Sequence, residues 1–351
     1  MAKSGGIELE EKKVTRQVWV DYLKACACLA VVIFHVIYGL QNARIYTNPS
    51  LNVLKEFCDI FQIPMFMMAS GYLYGMAGKP SSYLRFEKKK LINLFVPYIV
   101  FSLVYFGINS VFSSSVNFSY DIKTLLMLPV KPIAQYWFLF ALMLIFILVP
   151  LLEKVIKNEY ILLFIFFVWK LLAMNGFLFD EKFAIDYYLA GYTIFFYMGT
   201  TYARKHDDFK FIREKCIYIL VCLFIVLFAA AFFIKGNDMF ISYYRFGLNM
   251  VSIVAFTVLF EKKWEVLKCR FIDIIAKYSF QIYLLHTMAT AAVRIVLAKL
   301  GIYNDLIHFI IALITGIFVS VTVAVICDKT GYLNILFYPI STYKKIKHKD
   351  A

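Results

Sequence analysis

Residues 18–40 read VWVDYLKACACLAVVIFHVIYGL, an apolar stretch that carries Asp21, Lys24 and His35 in its interior. About twenty apolar residues cross a bilayer as a helix, so this segment is expected to span a membrane. Ionisable side chains at that depth are costly and are rarely kept without a pathway or a reaction to serve. In a helix, the eleven steps from Lys24 to His35 make about three turns, leaving both side chains on one face and ~16 Å apart along the axis. Asp21, three residues before Lys24, shares that face and is close enough to pair with it. The span thus presents a polar ladder, with an Asp–Lys pair near one membrane surface and an imidazole deep in the other half.

The rest of the 351 residues are of the same character. The chain is 62% hydrophobic, 19% aromatic and only 17% charged, more apolar surface than a soluble domain can hide from water. Apolar runs alternate with polar breaks to give candidate spans near 18–40, 54–76, 91–112, 134–152, 160–178, 184–203, 216–234, 246–261, 272–297 and 306–327. When the connections are assigned to alternate sides, most of the 37 Lys and Arg residues fall on one side, which the positive-inside rule makes cytoplasmic. The fold class expected is an all-α integral membrane protein. It would be a single bundle of about ten transmembrane helices with both termini cytoplasmic. The organisation is a tail over 1–17, a membrane domain over 18–327 and a basic tail over 328–351. The first 17 residues are charged rather than apolar, so the first span is expected to act as its own uncleaved insertion signal.

Topology accounts for the net charge of +14, with anionic membrane lipids as the partners of the basic loops. The charges are scattered over short connections rather than gathered on one face, which argues against nucleic acid as a partner. The seven cysteines form no CxxC or Cys/His spacing and read as small apolar packers, so no metal is expected.

Several local patterns occur in order. VDYLKA precedes a histidine eleven residues beyond Lys24. IPMFMMASGYLYG follows at 63–75, then LFVPYIVFSL at 94–103, QYWFLFAL at 135–142, FFYMGTTYAR at 195–204 and YSFQIYLLH at 278–286. Together they resemble the membrane acyltransferase-3 family, the ten-helix O-acyltransferases of bacterial surface glycans, over roughly residues 18–325. The resemblance implies an acyl-CoA donor, most simply acetyl-CoA, and a saccharide or lipid-linked glycan acceptor. In some family members an outer domain receives the acyl group. This chain ends in a short basic tail, which leaves direct transfer or hand-over to a separate outer protein. The family's signature of a basic residue, ten positions and a histidine falls here on Lys24 and His35. Arginine is commoner at the first position, and lysine exchanges a bidentate fork for a compact ammonium.

On that resemblance His35 is the general base and Lys24 stands on the donor's path; Asp21, on the same helix face, completes the catalytic ladder, unless the Asp21–Lys24 pair is only an interfacial ion pair that snorkels. A covalent acyl relay is the other way to use the same histidine. A histidine that merely hydrogen-bonds across the bundle is the alternative without chemistry. Arg85, Lys89 and Lys90 offer dense positive charge for the phosphates of coenzyme A, or act only to set topology. Ser70, before Gly71, lines the donor channel or allows close helix packing. Trp137 stacks a sugar or anchors the interface. His286 lines the site or packs within it. Arg245, with Asn249, holds an acidic group or anchors the surface, and Asp59, on its depth alone, orients His35 or merely marks the start of its helix. Lys170 and Arg294 read as snorkelling side chains. A rival from another class remains, a transporter or flippase using the Asp21, Lys24 and His35 ladder as a proton or substrate pathway.

Overall fold

The computed structural model describes residues 17–45, 47–78, 83–112, 120–176 and 184–349, and among these there is no strand. Each expected span falls on a helix: α1 Val18–Asn42, α2 Pro49–Met76, α3 Tyr83–Val111, α5 Trp137–Val155, α6 Glu159–Met174, α7 Ala184–Arg204, α9 Ile217–Ala230, α10 Asp238–Lys263, α11 Arg270–Lys299 and α12 Asp305–Thr330. Three short helices, α4 Ile122–Leu126, α8 Lys210–Lys215 and α13 Pro339–Lys349, join or follow them. Among the described residues six segments are long and apolar enough to cross a membrane: Val18–Asn42, Lys88–Val111, Ala134–Val155, Asp238–Leu267, Arg270–Lys299 and Asp305–Thr330.

Asparagine opens several of the long helices. The side chains of Asn48, Asn158, Asn237 and Asn304 accept backbone N–H groups at the starts of α2, α6, α10 and α12, supplying partners that the first helical turn otherwise lacks. These caps lie before the apolar runs. Thus α2 and α10 begin five and eight residues earlier than hydropathy places spans two and eight, and the earlier start of α10 takes Arg245 into helix.

Helix α1 occupies the middle of the bundle, packed by α2, α10, α11 and α12. Helix α2 in turn packs closely on α7. Gly71, Gly75 and Gly199 sit where a Cβ would fall 1.7 Å from the Phe196 carbonyl oxygen, 2.7 Å from that of Thr200 and 2.0 Å from that of Met68. Small residues spaced by four let two membrane helices bring their backbones together in this way. The result is a rigid central wall, α1–α2–α7, from which the site is built. For orientation, the end of the bundle where α1 begins is called proximal and the end where it finishes distal.

Candidate active site

A cavity of about 930 Å³ occupies the distal half of the bundle. Its wall is drawn from the second half of α1, the first half of α2, the ends of α3 and α11, and the starts of α5, α7 and α10. His35 borders it on one side, and Phe66, Trp137, Phe138, Tyr192 and Phe195 give it an aromatic wall on another. It reaches the distal surface beside Phe112, Val296 and Lys299, all exposed.

The tautomer of His35 is set by its own helix. Its Nδ1 lies 2.8 Å from the Val31 carbonyl oxygen, which can only accept, so Nδ1–H donates and the neutral ring carries its lone pair on Nε2. His286 repeats the arrangement one helix away, with Nδ1 donating to the Ile282 carbonyl at 2.8 Å. The two imidazoles meet edge to face with centroids 5.0 Å apart. His286 is fully buried, and its Nε2 has no hydrogen-bond partner. Spacing put each histidine on its own helix face; nothing in the sequence announced that they would touch.

The turn Ala134–Tyr136 before α5 is pinned onto α11, which explains why the QYW and YLLH segments belong together. Gln135 Nε2 donates to Thr287 Oγ1 at 2.6 Å, Tyr136 donates to the Leu284 carbonyl at 3.1 Å, and Tyr283 donates to the Gln135 carbonyl at 2.6 Å. Ala134, at φ 44°, takes the left-handed conformation that an L residue adopts only under constraint. The following Trp137 lies flat against Tyr188, with centroids 5.5 Å apart, and close to Tyr192 at 4.9 Å. Its indole is therefore half of an aromatic stack at the cavity wall rather than a lone interfacial anchor.

The basic residues of the cavity differ sharply. Arg245 is neutralised by Glu56, 2.8 Å away, and by Asp59. Asp59 therefore orients Arg245 and not His35. Arg294, expected to snorkel, is instead 9% exposed and lines the cavity, with Nη1 donating to the Gly39 carbonyl at 3.1 Å.

The remaining candidates lie outside this cavity. Lys24 and Asp21 pair at 2.9 Å, as their spacing predicts, nearer the proximal end of α1 and apart from the cavity wall. The polar ladder thus has one rung in the cavity and two beyond it. Ser70 is half-buried, and its neighbour Gly71 forms the α2–α7 contact. Lys89 is exposed, and Lys90 lies over the Phe146 ring at 4.7 Å. The side chain of Arg85 lies outside the described residues. Among the described residues no three His, Cys, Asp or Glu side chains are grouped to hold a metal ion.

Two buried networks at the proximal end escaped the sequence reading. Glu153 takes Arg204 at 2.5 Å and the Tyr74 hydroxyl at 2.8 Å. Glu261 takes Tyr202, His206 and Arg213. These fasten the ends of α2, α5, α7 and α10, and they give Tyr202 and Arg204 of the TTYAR segment a structural role.

Residues 17–328 match the family model described as an acyltransferase domain, Acyl_transf_3. An all-helical bundle with apolar helices of membrane-crossing length and a match over nearly its whole length place this chain in the membrane acyltransferase-3 family. No curated protein and no solved structure matches it.

Proposed function

We propose that the protein transfers an acetyl or other short acyl group from cytoplasmic acyl-CoA to a hydroxyl of a cell-surface saccharide or its lipid-linked precursor, in the bacterial cytoplasmic membrane. The observation that carries this reading is His35. Its Nδ1–H is committed to Val31, so the Nε2 lone pair is available at the edge of a large, aromatic-walled cavity in an acyltransferase. A cavity of this size and lining suits a sugar, whose apolar ring faces stack on aromatic side chains while its hydroxyls take polar ones.

In this reading the acceptor hydroxyl enters from the distal, outer side and its oxygen bonds to the thioester carbonyl carbon. His35 Nε2 takes the hydroxyl proton as that bond forms. The carbon–sulfur bond then breaks, and the imidazolium returns the proton to the departing thiolate, so the ring ends as it began. The donor's thioester arm lies along α1 from Lys24 toward His35, a reach of ~16 Å. Lys89 and Lys90, near the proximal start of α3, meet its phosphates. The Asp21–Lys24 pair keeps a fixed positive charge beside the arm without leaving it unbalanced.

Release of free coenzyme A from acetyl-CoA by purified protein in lipid nanodiscs, offered a pooled envelope glycan extract, tests this. The wild type is expected to release it only with acceptor present. A monodisperse His35→Ala variant is expected to lose on the order of a hundredfold or more in rate, the usual contribution of a positioned base. Activity that survives His35→Ala would sink the assignment. Movement of a substrate across the membrane without thioester consumption would favour the transport alternative.

A further inference from the structure

Arg294 is a buried cation of the cavity with no carboxylate partner among the described residues. Arg245 is met by Glu56 and Asp59 in the same cavity. Arg294 instead shows one hydrogen bond, to the backbone carbonyl of Gly39, and no acidic side chain pairs with it among the described residues. A guanidinium has five N–H donors. Holding it 9% exposed inside a membrane bundle with most of them unanswered is costly. A cost of that kind is offset when the missing anion arrives with a ligand.

The neighbouring backbone is shaped for this cation. Gly39 lies inside α1, where glycine weakens a helix, and a Cβ there would fall 2.7 Å from Arg294 Nη1. The absent side chain is what lets the guanidinium settle against α1. Gly39 follows His35 by four residues, so the two share a face about 6 Å apart along the axis. Lys299, exposed at the cavity mouth on the same helix as Arg294, adds a second positive charge along the way in.

We infer that Arg294, seated on Gly39 one helical turn beyond His35, binds the carboxylate or phosphate of an acidic saccharide acceptor and so selects acidic over neutral acceptors. The acceptor class rests on the acyl-transfer reading above. One sugar ring bridges the gap, with its acidic group on the guanidinium and a ring hydroxyl at His35 Nε2. A planar bidentate fork suits both oxyacids.

Binding is measured apart from chemistry. Tryptophan fluorescence, with Trp137 in the cavity wall, is followed in nanodiscs during titration with a glucuronate-bearing disaccharide, a sugar 6-phosphate or a matched neutral disaccharide. The wild type is expected to bind an acidic sugar more tightly, and the two acidic probes show which oxyacid is preferred. Arg294→Gln is expected to weaken acidic binding on the order of tenfold to a hundredfold, the size of a charged hydrogen bond, and to leave neutral binding unchanged. Arg294→Lys should keep part of the preference. Gly39→Ala should displace the guanidinium and lose part of it with the charge intact.

Equal binding of acidic and neutral sugars by the wild type overturns the proposal, as does a monodisperse Arg294→Gln that keeps the preference. Coenzyme A release separates this from the parent reading. An Arg294-dependent preference with no release from any acyl-CoA upholds the anion site and sinks acyl transfer. Release with acidic and neutral acceptors alike that Arg294→Gln does not alter does the reverse. Were Arg294 to discriminate succinyl-CoA from acetyl-CoA rather than one acceptor from another, the anion would belong to the donor and the acceptor assignment would fall.

Discussion

His286 presents its ring to His35 from the neighbouring helix, and its own Nε2 is buried without a partner. Two roles are consistent with that contact, a wall that holds the His35 ring in place or a second base, and isosteric replacement separates them. Phenylalanine keeps a flat ring there and removes an unsatisfied nitrogen, a change that is near neutral or stabilising when nothing polar is left behind. His286→Phe is therefore expected to keep both melting temperature and coenzyme A release near wild type. His286→Ala leaves a hole, costs about 3 kcal/mol as other large-to-small core changes do, and frees the His35 ring to turn, so both quantities should fall. A well-folded but inactive His286→Phe would instead put Nε2 into the chemistry. His35 itself was legible because an ionisable group in an apolar run stands out against its neighbours. Arg294 misled for the complementary reason. A lone arginine near a helix end looks the same in sequence whether it reaches outward to water or inward to a cavity, and only Gly39 on another helix decides which.

At the scale of elements, the α2–α7 contact is set by glycines whose roles can be separated from those of other helix glycines. A methyl group at Gly71 or Gly199 would meet backbone oxygens at 1.7 Å and 2.0 Å, whereas at Gly191 and Gly247 nothing lies within 4 Å. Backbone cannot step aside as a flexible side chain can. Gly71→Ala and Gly199→Ala are expected to cost about 3 kcal/mol or more, the upper range for overpacking. Gly191→Ala is expected to be neutral or to stabilise by up to about 1 kcal/mol through helix propensity. Thermal unfolding monitored by size-exclusion chromatography in detergent reads both, and equal behaviour of the four glycines would remove the close-contact argument. The Ser70-Gly71 pair was visible in sequence, with packing as one of its two readings, but its partner on α7 was not. The helices themselves were legible from hydropathy alone. Their starts were not, because Arg245 looks like a loop charge until it is seen neutralised by Glu56 and Asp59 of α2.

For the whole molecule, hydropathy reports which segments prefer lipid and says nothing about which one is sheltered from it. Helix α1 carries Asp21, Lys24 and His35, and it is surrounded by α2, α10, α11 and α12. Its ionisable groups therefore face protein and cavity rather than acyl chains, which is what makes them tolerable. Helices α9 and α12 do the opposite, exposing Ile219, Ile225, Val226, Ile310, Ile314 and Phe318, an apolar belt suited to acyl chains. The proposed mechanism also needs a direction, with the proximal end in the cytoplasm and the cavity mouth outside. Cys269, exposed between α10 and α11, marks the proximal end, and a Lys235→Cys substitution between α9 and α10 marks the distal one. With the exposed Cys222 replaced by alanine, a membrane-impermeant maleimide added to intact cells is expected to label Lys235→Cys and to spare Cys269. Permeabilisation should then expose Cys269, together with a Ser341→Cys substitution on α13. Labelling of both Cys269 and Lys235→Cys in intact cells would mean that α10 does not cross. The inverted pattern would turn the cavity toward the cytoplasm, where acceptor and acyl-CoA would meet on one side and the donor would have no need of the route along α1.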